Sequence, residues 1–333
     1  MVILLGLLAA LVFGLVPMIV YALILWWFDR YEKEPIGLVI AAFLWGAVPA
    51  IIFSVIVELV LDIPISSFVE PGTANLVGAA VVAPVVEEIV KAGALVLLLL
   101  LFRREIDSLL DGIIYGGLVG FGFAAVENVL YFANALSEGG LGGVVFLAIL
   151  RAFVFGLNHA LFTGLTGLGI ALARTSPNWL IKIGAPLVGL ATGIVAHAIH
   201  NGTVTFAAEL CWPCLLTAIS DYGGALLMFG IIIWASLRER QWIVQFLADE
   251  VQQGTLSQEQ YEIVCSYWKR VAARWSVLFT GDFKRWWGLG RFYQQATELA
   301  FNKHRLTRFP HEQDTRAHIV RLRGQVAEQS RRL

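Results

Sequence analysis

The chain has 333 residues, 58% of them hydrophobic and 15% charged, with a mean hydropathy of +0.74 and long uncharged apolar runs over its first 237 residues. That composition excludes an ordinary water-soluble globule and marks a multi-pass membrane protein, with no nucleic-acid partner expected. The net charge of −1 hides an asymmetry: residues 1–237 carry 8 Lys and Arg against 15 Asp and Glu, and residues 238–333 carry 16 against 10.

Apolar runs long enough to span lie at about 2–28, 36–61, 75–102, 112–134, 144–173, 180–207 and 215–237. They predict an all-α polytopic bundle of about seven transmembrane helices, the last interrupted near its start by Asp221 and Gly223-Gly224. The first run lacks a basic leader, exceeds a signal-peptide core and ends at Trp26-Trp27, so it reads as a retained helix with an interfacial aromatic anchor. Lys and Arg recur after the first, third, fifth and seventh runs, at Arg30, Lys33, Arg103, Arg104, Arg174, Lys182, Arg238 and Arg240. The intervening loops 62–74, 135–143 and 208–214 have none, which puts the N-terminus outside and the C-terminal tail in the cytoplasm of a cell-membrane protein.

Three cysteines are too few for a disulfide framework. Cys211-Trp212-Pro213-Cys214 has redox-like spacing but no thioredoxin-type setting, so a local disulfide or free thiols is the better reading. Asn201-Gly202-Thr203 matches a glycosylation pattern but lies within a predicted membrane helix. The chain divides into a membrane domain, 1–237, and a tail, 238–333, that reads as helical and, in its Arg- and Gln-rich end, partly disordered. Lys284-Arg285-Trp286-Trp287 with Arg291 is a basic, aromatic mixture suited to lipid headgroups, although a plain helical appendage also accounts for it.

Inside the membrane, four successive runs carry polar residues. Glu87, Glu88 and Lys91 share one run, and at 100° per residue Lys91 projects between the two carboxylates. One lysine cannot balance both, and an unpaired charge at mid-bilayer costs roughly 2.5–3.5 kcal/mol on the translocon scale. The next run brings Phe123 and Glu127, one turn apart, below a ladder of Gly112, Gly116 and Gly120 that permits close helix approach. The fifth brings Asn158 and His159, in a stripe of Arg151, Phe155, His159, Thr163 and Gly167, with Arg151 expected to snorkel to the outer interface. The sixth brings His197, His200 and Asn201, with Gly189, Gly193, His197 and Asn201 on one stripe. Counted from the outer helix ends, Glu87, Glu127, His159 and His197 lie roughly 12–22 Å deep. Facing one another, these stripes make a buried pocket able to bind metal or move protons.

The ordered set Glu87-Glu88-x-x-Lys91, Phe123-x-x-x-Glu127, Asn158-His159 and His197-x-x-x-Asn201 resembles the PrsW family of intramembrane proteases, as does Asp29-Arg30-Tyr31-Glu32-Lys33-Glu34-Pro35 after the first run. That family belongs to a wider group with the type II CAAX prenyl endopeptidases and bacteriocin-processing membrane proteases. The prenyl endopeptidases usually carry His where this chain has Glu127, which favours the PrsW branch. The resemblance covers roughly residues 20–210 and implies peptide-bond hydrolysis of a membrane-protein or membrane-associated substrate, including regulated proteolysis of a membrane-bound regulator such as an anti-sigma factor. It implies Glu87 as the base, oriented by Glu88 or Lys91, and His197 with Asn201 polarising the carbonyl. Glu127 and His159 would position water or, with His197, bind Zn2+; a metal-free glutamate mechanism stands equally open. Phe123, Lys91 and His200 are supporting residues. Two other classes compete: a proton- or cation-coupled transporter using the same carboxylates and histidines, and a non-catalytic regulator binding a partner helix. Oligomeric state is not legible.

Overall fold

The computed structural model describes residues 2–207 and 212–332, so the question of a Cys211–Cys214 disulfide falls outside the described residues. Those residues form helices and no strand, in two compact units. One comprises residues 1–28, 34–174 and 178–232; the other comprises 29–33, 175–177 and 233–333.

In the first unit, α1 (Val2–Phe28) is followed by α2 (Ile36–Trp45) and α3 (Ile51–Phe68), joined by a π-helical turn at Gly46–Ala50. A second π-helical turn, Gly78–Val82, links α4 (Pro71–Val77) to α5 (Ala83–Leu101). The hub is α6 (Leu109–Ala148), whose side chains from Leu110 to Ala125 are buried on every face, as expected of a helix surrounded by others. Ser108 and Asp111 start it with a reciprocal capping box, the Ser108 N–H donating to the Asp111 carboxylate at 2.7 Å. Against α6 pack α1, α2 and α7 (Asn158–Thr175), and α7 in turn carries α8 (Trp179–Ala207) and the first part of α9 (Trp212–Gln252).

Among the described residues, five helical stretches are long and apolar enough to cross a membrane: Ile3–Phe28, Ile36–Phe68, Leu109–Thr175, Trp179–Thr205 and Leu215–Gln252. The third contains two of the predicted runs, 112–134 and 144–173, with the loop between them reduced to a kink at Gly140 (φ 61°, ψ −156°). The run at 75–102 is not among the five because Glu87, Glu88 and Lys91 interrupt it.

The run at 144–173 is not one continuous helix. A π-helical turn at Ile149–Val154 ends at Phe155, and α7 starts afresh at Asn158. The predicted stripe from Arg151 to Gly167 is therefore cut, and His159 stands in the first turn of a helix. Glycine seams then hold α7 on both sides. The ladder Gly112, Gly116 and Gly120 lies against the carbonyls of Gly167, Thr163 and His159, while Gly189 and Gly193 of α8 lie against those of Leu165 and Phe162. A Cβ at any of these positions would collide with backbone, so the seams bring the helices to the closest approach available.

The second unit has α10 (Gln258–Val264), α11 (Tyr267–Phe279), α12 (Phe283–Arg308) and α13 (Gln313–Ser330). Ile243, Leu247, Val264, Phe292, Ala296, Leu299, Leu322 and Val326 form its core. Arg270, buried at the start of α11, spends its guanidinium on the Val264 and Tyr31 carbonyls and the Thr297 hydroxyl.

Candidate active site

α5 begins immediately after the Gly78–Val82 turn, with Pro84 in its first turn, where the missing N–H costs nothing. One turn later Glu87, Glu88 and Lys91 all point inward and are buried. The Lys91 ammonium donates to Glu87 Oε2 at 3.0 Å, to Glu88 Oε1 at 2.9 Å and to His159 Nδ1 at 3.0 Å. Its three protons are thereby used, and the Phe123 ring lies 3.7 Å from the nitrogen as a cation–π partner. A lysine without these four partners would not stay charged at this burial.

The hydrogen bonds assign the histidine tautomers. His159 Nδ1 accepts from Lys91, so its Nε2 carries the proton and donates to Glu127 Oε2 at 2.9 Å. His197 donates from Nδ1 to Glu88 Oε1 at 3.1 Å, which leaves the Nε2 lone pair 3.9 Å from Glu87 Oε2. Thr163 donates to the other Glu88 oxygen at 2.9 Å. Glu88 is thus bonded by Lys91, His197 and Thr163, whereas Glu87 has one strong partner and faces an imidazole lone pair. Phe162 stacks on His197 with centroids 4.8 Å apart and fixes the ring plane.

Glu127 is reached through His159 and also accepts from Arg151 at 2.6 Å. Arg151 does not snorkel outward as expected: it donates to Asn128 at 3.0 Å and covers the Tyr131 ring at 3.8 Å. A buried carboxylate nearby outcompetes the interface for the guanidinium. Glu58 of α3 adds a further carboxylate within electrostatic reach of Glu127 and Lys91. Asn201 donates its amide to the Ala79 carbonyl at 3.0 Å, in the π-helical turn that leads into α5. His200 belongs to a separate trio, its Nδ1 lying 2.6 Å from Asp221 Oδ2, which also accepts from Asn158 at 2.9 Å.

Of the residues predicted from sequence, Glu87, Glu88, His159 and His197 converge, each offering a ligand atom within 4.8 Å of the others. Lys91 and Phe123 sit on them, Glu127 lies one hydrogen bond away, and Asn201 and His200 hold neighbouring backbone and side chains. Thr163 and Asp221 join this network without a role that the sequence pattern alone assigns them. Thr163 lay on the His159 stripe four residues on, and an acid inside an apolar run was the available signal for Asp221. Two imidazoles and two carboxylates, buried and convergent, are a donor set that fits a divalent metal of borderline softness.

A polytopic helical bundle with a buried Glu/His cluster of this kind defines an intramembrane hydrolase with the makings of a metal site. The model of the PrsW family intramembrane metalloproteases matches residues 34–236, and the chain belongs to that family. It is similar to Protease PrsW of Bacillus subtilis, 26% identical over 208 residues that cover 62% of this chain and 82% of the relative. It also matches Protease PrsW of Geobacillus kaustophilus, 31% identical over 147 residues (44% of this chain, 58% of the relative). A third match is Protease PrsW of Clostridioides difficile, 38% identical over 104 residues (31% and 42%). No solved structure matches. The protein is therefore an intramembrane endopeptidase acting on a membrane-bound protein substrate.

Proposed function

We propose that Glu87 is the general base and acid of peptide hydrolysis, acting on a water shared between its free oxygen and His197 Nε2. The water's proton passes to Glu87 as its oxygen attacks the scissile carbonyl. The resulting oxyanion is held by the second amide hydrogen of Asn201, while His197 Nε2 accepts the water's other hydrogen and aims its oxygen, and Glu87 returns the proton to the leaving amine. Glu88 serves by orientation, fixing the His197 tautomer while Thr163 and Lys91 fix Glu88. Lys91 neutralises the pair, and Glu127, clamped by Arg151, orients His159. His200 supports from the Asp221 trio.

In this reading His159 and His197, with Glu88 or Glu127, would hold zinc, His159 through the Nδ1 lone pair that otherwise accepts from Lys91. When bound, zinc supplies Lewis-acid polarisation and an acidified water. The observation that carries the proposal is the convergence of four buried donor residues inside an apolar bundle. Among the described residues, Glu87, Glu88, Glu127 and Glu58 are answered by two fixed cations, Lys91 and Arg151, an excess of negative charge that a proton or a dication offsets.

The membrane domain, 1–237, carries the chemistry, with its N-terminus outside and the tail 238–333 in the cytoplasm; the membrane is the cell membrane. The test is a metal-counted preparation in nanodiscs incubated with a panel of single-pass membrane proteins. Cleavage near a membrane boundary, with about one zinc per chain and loss of activity on chelation, is expected. Soluble peptides cut as well as membrane-bound ones would overturn the reading.

A further inference from the structure

The second unit packs its core around α12 and exposes its large aromatic residues most densely along one edge. α11 turns Tyr267 and Ala273 toward the core, yet Trp268, Trp275 and Phe279 stand out from it, with Phe279 82% exposed. Gly281, at φ 77°, makes the reversal into α12, whose first turns expose Phe283 and Trp287, the latter 70% exposed. Trp275, Phe279, Phe283 and Trp287 follow one another at four-residue intervals across that reversal, and the Trp275 and Phe279 rings lie 5.7 Å apart. A water-facing domain does not usually present so many large aromatics in one patch.

Charge identifies the occupant. Residues 263–297 contain six Lys and Arg and a single acid, Asp282. Asp282 is spent as the α12 N-cap, accepting from the Arg285 N–H at 2.9 Å. Arg270 is buried, while Lys284, Arg285 and Arg291 are exposed beside the aromatic residues, and Arg274 stacks 4.1 Å over Trp286. Aromatic rings set among bases and cleared of acids fit the boundary between acyl chains and anionic headgroups, where rings enter and guanidinium and ammonium groups meet phosphate.

We propose that the α11–α12 hairpin is an interfacial docking surface for an anionic lipid bilayer, with Trp275, Phe279, Phe283 and Trp287 inserted and Lys284, Arg285 and Arg291 on lipid phosphates. It is a binding role of the second unit, independent of the protease site.

The experiment places bimane on Phe279→Cys or, as the control, on Val320→Cys, an exposed position on α13. The full chain carries Cys211→Ser and Cys214→Ser and keeps the buried Cys265. Each protein goes into nanodiscs containing nitroxide-labelled lipid, either all phosphatidylcholine or with phosphatidylglycerol added. Quenching at 279 about threefold or more above that at 320 in anionic discs is expected, falling toward the control at about 0.5 M salt and in Lys284→Glu/Arg285→Glu. Equal quenching at both positions, or quenching at 279 indifferent to lipid charge, overturns the proposal. A label at 279 shielded from both lipid and aqueous iodide also overturns it and assigns the surface to a protein contact.

Discussion

Two buried charge clusters in this chain are built in opposite proportions. In the second unit, one fully buried carboxylate, Glu250, receives two cations, Lys303 at 2.8 Å and Arg323 at 2.7 Å. In the first, one fully buried ammonium, Lys91, serves two carboxylates and an imidazole. A carboxylate with two cations has its acceptor sites filled and nothing left to give, which is the pattern of a structural lock. A lysine divided among three acceptors leaves negative charge and lone pairs over, and those can take a proton or a metal. The ratio of donors to acceptors, more than burial, separates the cluster that closes on itself from the one to which we assign the chemistry.

Substitutions can break this contrast. The largest effect is expected at His197, where His197→Ala removes both the lone pair facing Glu87 and a partner of Glu88. Cleavage should fall by about 10²–10⁴-fold with membrane insertion intact. Next comes Glu250→Ala, which removes the carboxylate that Arg323 pairs with and leaves Lys303 to Asp249, and should cost about 2 kcal/mol, less than a fully buried pair because Arg323 is a third exposed. Chemical denaturation of the second unit reads it, and the protease site of the still-folded chain should keep its turnover. Thr163→Val removes one hydrogen bond from Glu88, about 1 kcal/mol, and cleavage should drop roughly fivefold while Thr163→Ser retains it.

The smallest expected effect is pH-linked. Burial, with help from Arg308, pushes the His304 imidazole down to about 4, and its ring stacks on Trp242 at 4.1 Å. Between about 6.5 and that value the unfolded chain takes up a proton that the folded one refuses, so stability falls as pH drops through the window. Thermal melts at pH 7 and pH 5 should differ by a few degrees less in His304→Gln than in the parent.

Much of the site is legible from spacing. Glu87, Glu88 and Lys91 lie on one helix, and the i, i+3 and i, i+4 relation dictates their mutual hydrogen bonds. The helical bundle follows from apolar run length, and the close α6–α7 approach from the Gly112, Gly116 and Gly120 ladder. Arg151 was misread because its partner, Glu127, lies on another helix 24 residues earlier, and pairing across helices leaves no periodic trace. The break before Asn158 was equally hidden: Ile149–Val154 is as apolar as the flanking helix, so a π-helical turn there changes geometry without changing composition. Asp221, Asn158 and His200 meet from three helices, a contact that only packing decides.

The central claim is that Glu87, the less satisfied of the two paired carboxylates, moves the proton. Its most direct test compares single-turnover cleavage of one membrane substrate by the parent, Glu87→Gln and Glu250→Gln, with folding followed by thermal melting in the same nanodiscs. Loss of at least about 100-fold in Glu87→Gln with an unchanged melt, and parental turnover in Glu250→Gln wherever the chain stays folded, is the predicted result. Parental turnover by a homogeneous, folded Glu87→Gln protein would contradict the account.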